Sequence, residues 1–133
     1  MNTRLAAAVL AFGLAATPSL PAFAAVVTAR DAQGVAHLNL DTQIVPQRGA
    51  GYYGGTLKLT ISRDGIVNGI YRPEDGDGGF HTVVGGLNGD QIWLNISYLG
   101  GLHVSGVLSG SKIVGGTFIG THFFDFNASP PKA

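Results

Sequence analysis

Along most of this chain, apolar and polar positions alternate with a period of two, the pattern of strands with one buried face. Residues 52–62, "YYGGTLKLTIS", set Leu57, Leu59 and Ile61 against Lys58 and Thr60. "RDG" turns the chain, and residues 66–72 return with Val67, Gly69 and Tyr71 on one face. The loop "PEDGDGG" follows, and then a phrase written twice: "VVGGLNGDQI" from Val83 and "VSGVLSGSKI" from Val104. In each copy Val, Gly and Leu share a face before a glycine turn, and a new apolar strand begins at Ile92 or Ile113. Asn88-Gly89 is a strong hairpin signal. Each copy is therefore a hairpin, and the repeat of 21 residues is one up-and-down pair of a meander.

Strands are expected at 52–62, 66–72, 80–87, 92–98, 102–108, 113–118 and 122–128. "VAHLNL", 35–40, is an eighth candidate, with "DTQIVPQRGAG" as a long connection after it. No segment after residue 24 holds a helical period. An antiparallel up-and-down sheet with an even number of strands can close on itself and remove both unpaired edges. The expected fold is all-β: a small antiparallel up-and-down meander closing into a roughly eight-stranded β-barrel.

The first 24 residues read differently. Arg4 precedes the apolar run "LAAAVLAFGLAA", and Pro18 and Pro21 lead to "AFA", a small-x-small cleavage signal ending at Ala24. This is the form of a secretory signal peptide. Its apolar run is shorter than the roughly 20 residues of a membrane span. Its Ala-rich style is bacterial, and the expected location is the periplasm or the medium. Residues 25–133 are expected to form one domain: an N-terminal segment 25–50 with one strand, a seven-strand meander 51–128, and a tail 129–133.

The chain has no Cys, and its eight basic and eight acidic residues give a formal net charge of +0. There is no basic stripe, so no nucleic-acid partner is expected, and no membrane span follows the leader. Sparse charge provides little repulsion between copies, which favours self-association.

The leading Gly-aromatic strand, "RDGIVNGIY" (63–71) and the regular meander resemble the avidin-like barrels, secreted eight-stranded barrels that hold biotin at one end, usually as tetramers. "DG-x-V-x-G-x-Y", from Asp64 to Tyr71, is the closest local match; Asp125-Phe126 is a second, near the chain end. The resemblance implies a barrel over roughly 51–126 with Tyr71 pointing inward. Avidins wall biotin with several tryptophans, whereas Trp93 is the only one here, so the resemblance implies the fold rather than the ligand. Lipocalin-like proteins and barrel-shaped protease inhibitors share the same pattern.

Candidate site residues follow from parity. Trp93, Asn95 and Ser97 share one face of a strand, opposite Ile92, Leu94 and Ile96. With the aliphatic face inward, Trp93 is an exposed aromatic that marks an interface. With the other face inward, Trp93, Asn95 and Ser97 join Tyr71 in a small polar pocket, with Tyr52 and Tyr53 at the barrel mouth. Phe123, Phe124 and Phe126 are assigned to core and closure. The loop carrying Glu74, Asp75 and Asp77 is the longest interruption of the meander, placed to act as a gate or contact. Its Asp-Gly-Asp-Gly opening matches the start of a calcium loop, but the later ligands and closing Glu are missing. His81, His103 and His122 fall near the starts of three alternate strands and so lie near one end of the barrel, yet parity turns His103 outward, and alternate strands lie about 10 Å apart. No metal or other cofactor is expected. The serines lack a nucleophile-elbow setting and no catalytic constellation stands out, so no enzyme is expected.

Two functions remain. One is an exported barrel binding a small, mostly apolar molecule at its open end through Tyr71, Trp93, Asn95, Ser97, Tyr53 and the loop. The other is a filled barrel that binds a protein, or its own copy, through its wall or loops.

Overall fold

The computed structural model describes residues 30–75 and 79–132. The expected leader, 1–24, lies outside them. Eight strands run in order: β1 Ala36–Pro46, β2 Tyr53–Ile61, β3 Ile66–Pro73, β4 His81–Asn88, β5 Gln91–Ile96, β6 Leu102–Ser109, β7 Lys112–Ile119 and β8 His122–Ser129. Each pairs antiparallel with the next, and β8 returns to β1, so the all-β meander closes into a barrel. No helix among the described residues is long and apolar enough to cross a membrane.

β1 corrects the sequence reading. The strand continues past Leu40 to Pro46, because Thr42 and Ile44 keep the inward parity. This extension closes the ring: Asp41–Pro46 pairs with β8 on one side, while Thr42 faces Gly55 of β2 on the other.

Inward positions from all eight strands form one core that includes Leu40, Ile44, Leu57, Leu94, Leu108 and Phe126. Side chains lining a hollow wide enough for water would retain accessible surface. These are at most 1% exposed, so the interior around them is filled. Outward positions of β1 and β2, including Asn39, Asp41, Gln43, Thr56 and Lys58, are exposed and polar. On these two strands the inward face is apolar and the outward face polar.

The central glycine of the repeated phrase has a steric cause. Gly85 and Gly106 both occupy inward positions. A Cβ at Gly106 would lie 2.6 Å from the Val114 carbonyl oxygen and 3.0 Å from the Gly115 Cα. At Gly85 it would lie 3.0 Å from the Trp93 carbonyl carbon, with the oxygen closer still. Strong coiling leans the neighbouring backbone into the space a side chain would take. The second glycine of the phrase makes the turn. Gly89 and Gly110 open two-residue loops with φ of 64° and 62°, the positive-then-negative sign pattern of a type II′ hairpin.

These turns give the barrel unlike ends. The 62–65, 89–90 and 110–111 turns make one end tight. The connections after β1, β3 and β5 leave from the other end, the rim.

Candidate functional site

The structure separates the sequence-predicted site residues across the barrel wall. Tyr71 points inward and is fully buried. Its ring lies 5.2 Å from that of Tyr98, and its hydroxyl sits where a Cβ at Gly55 would be 2.5 Å away. Neither the Tyr71 hydroxyl nor the buried Thr42 hydroxyl meets hydrogen-bond geometry with a partner among the described residues. Burial raises the Tyr71 hydroxyl above the ordinary phenol pKa; the Thr42 hydroxyl opposes the rise, and the charges of Asp75 and Glu74 add to it.

Trp93, Asn95 and Ser97 point outward, so they form no pocket with Tyr71. The reason is physical. Ile92, Leu94 and Ile96 fill the core, whereas Asn95 and Ser97 turned inward would bury polar groups in an apolar interior. On the outer wall each residue has a partner. The Trp93 indole lies over Gly86, its Nε1 2.6 Å from where a Cβ would be, and stacks on His103 with centroids 6.2 Å apart. Asn95 Oδ1 is 2.7 Å from His103 Nδ1, and Ser97 Oγ accepts the Thr82 N–H at 3.0 Å.

The loop after β3 is tied across the rim. The Glu74 N–H donates to the Gly54 carbonyl at 3.0 Å, and the Tyr98 hydroxyl donates to Asp75 at 2.7 Å. Tyr98 is thereby buried as a lid over Tyr71, with the His81 ring 4.9 Å away. Asp77 lies outside the described residues. The three strand-initial histidines stand on different surfaces: His81 against Tyr98, His103 on the outer wall, His122 exposed at the rim. Among the described residues no group of three His, Asp or Glu side chains gathers to hold a metal.

One concavity at this rim is only half visible in the sequence. A cleft of about 700 Å³ opens between the β1–β2 connection and the start of β8. Tyr52, Tyr53, Phe123 and Phe124 line it with Pro46, Gln47, Arg48 and His122. Tyr53 and Phe124 meet at 6.0 Å with rings tilted by 53°. Arg48 is exposed; among the described residues no carboxylate lines the cleft, and Asp125 beside it accepts from the lining Gln47 at 3.5 Å. Protein families, curated proteins and solved structures give no match to this chain.

The sequence reading places Tyr52 and Tyr53 at the barrel mouth and assigns Phe123 and Phe124 together to core and closure. Adjacent strand residues face opposite ways. Phe124 does pack against the core, while Phe123 lies outward against Gly116. The doubled aromatics at 52–53 and 123–124 were the available signal, since only one of each pair can enter a core.

Proposed function

We propose that this protein is a binding module that holds a small, mostly apolar molecule carrying a negative charge in the rim cleft. The filled interior excludes the barrel lumen as the holding place. The observation that carries the reading is the cleft itself, with four aromatic side chains, an exposed guanidinium and, among the described residues, no carboxylate in its lining. Aromatic faces supply apolar contact, and an arginine selects an anion. Of the sequence-predicted contacts, Tyr53 lines this cleft, whereas Tyr71 is buried inside the barrel beneath the Tyr98 lid. The sequence-predicted loop of Glu74 and Asp75 borders the same rim and holds that lid.

The test is a titration with anilinonaphthalene sulfonate, a planar aromatic anion whose emission rises on desolvation. The expected result is one saturable site. Its affinity falls at least tenfold in Tyr53→Ala and in Arg48→Ala, about 1.4 kcal/mol or more, and is unchanged in Trp93→Ala. Unsaturable binding, or affinity indifferent to Tyr53→Ala and Arg48→Ala, overturns the assignment. Native mass spectrometry of protein purified from its own source then identifies any retained molecule by mass.

A further inference from the structure

We infer that the outer wall of β5–β8 is an interface for a second copy of this chain, a surface that meets the rim cleft only at Phe123. Trp93, Val107, Val114, Phe118 and Phe123 all project from this wall as exposed large hydrophobic side chains. The register makes them neighbours. Val107 faces Val114 across β6–β7, and Phe118 faces Phe123 across β7–β8 with ring centroids 5.2 Å apart. Trp93 stands one strand away from β6, opposite Ser105.

Two outward glycines lower the relief of this surface. The Phe123 ring occupies the place a Cβ at Gly116 would take, and the Trp93 indole does the same over Gly86. Rings laid flat on a sheet are already ordered, so pairing costs little side-chain entropy. The wall is also nearly without charge. From His81 to Ser129 the only Asp, Glu, Lys or Arg residues are Asp90, Lys112 and Asp125. Charge depletion is the compositional mark of an interface centre.

Area fixes the kind of partner. Trp93 is 43% exposed, Phe118 58%, Phe123 37% and Val114 60%. At roughly 200 Å² per aromatic side chain, with Val107 and Val114 added, the apolar area is roughly 400 Å². The intervening Ser105, Asn95 and His103 bring the wall towards the roughly 800 Å² per partner of a standard interface. A second copy presents the same apolar surface, and a two-fold arrangement matches the patch to itself. A wall this poor in charge gives a charged partner little to pair with.

The test is sedimentation velocity across the micromolar range, with emission of Trp93, the only tryptophan, read in parallel. The native chain is expected to be a dimer that dissociates on dilution, with Trp93 emission shifting red over the same range. The double variant Val114→Lys/Phe118→Lys is expected to be monomeric at every concentration, with red-shifted emission and an unchanged barrel circular dichroism spectrum. Asn39→Lys, on the polar β1 wall, is expected to leave the dimer intact. A native chain that stays monomeric overturns the inference, as does a dimer that survives the double variant. If the double variant fails to fold, the native dilution series decides: an emission maximum independent of concentration overturns it.

Discussion

Gly85 and Gly86 are adjacent in sequence and point to opposite sides of one wall, so the same substitution at each separates backbone coiling from residue type. An Ala at Gly85 places its Cβ 3.0 Å from the Trp93 carbonyl carbon and 3.2 Å from the Leu94 Cα, with the carbonyl oxygen nearer still. These are backbone atoms of a paired strand and cannot rotate away. Overpacking of this kind costs about 1–3 kcal/mol, and the immobile neighbour puts Gly85 near the top of that range. The more restricted unfolded chain returns about 0.4–1 kcal/mol. The net loss is about 2 kcal/mol, which for a domain of this size lowers Tm by roughly 10 °C. At Gly86 the new methyl meets only the Trp93 side chain, which rotates on an exposed wall. Gly86→Ala should therefore stay within about ±0.5 kcal/mol of the native chain, while changing Trp93 emission. Thermal unfolding followed by circular dichroism measures both. Equal losses at the two positions, or no loss at Gly85, would refute the coiling argument.

Other outcomes follow from the rim and the core. Tyr71→Phe removes a buried hydroxyl that lacks hydrogen-bond geometry, so chemical unfolding should show stability unchanged or raised by up to about 1 kcal/mol, whereas Tyr71→Ala should cost about 3–5 kcal/mol. Because the folded-state pKa of Tyr71 is raised, its contribution is whole below the ordinary phenol pKa of 10.0 and is lost as pH rises through the folded value. Native protein should therefore lose stability under alkaline conditions, and Tyr71→Phe should flatten that loss; parallel profiles would count against it. Tyr98→Phe breaks the tie to Asp75, so hydrogen exchange at 74–75 should quicken while core strands keep their protection. Unchanged exchange there would show that the loop is held by other means.

The local part of the fold was legible because it is written locally. Alternation placed each strand, and glycines with positive φ placed the turns. What escaped was whatever depends on ring closure. The sequence reading ends β1 at Leu40 and takes "DTQIVPQRGAG" as a connection, yet Asp41–Pro46 is the segment that receives β8. The rim cleft unites residues 46–53 with 121–124, and only that closure brings them together. The orientation of Trp93 was open because a large aromatic sits among polar neighbours. The three aliphatic side chains at 92, 94 and 96 decide it, since Asn95 and Ser97 are cheaper to leave in water.

Closure through β1 and β8 also sets an order of events. Every other strand pair joins neighbours in the chain, but this one joins its first strand to its last. As the chain is made from its N-terminus, hairpins β2–β3, β4–β5 and β6–β7 can each form once their own residues are free. Until β8 arrives, β1 and β7 remain as two unpaired edges, the surfaces by which nascent chains stick to one another. β8 is thus both the last of the eight strands to be made and the seal of the barrel. Any premature stop before it should yield an aggregating chain rather than a smaller soluble barrel.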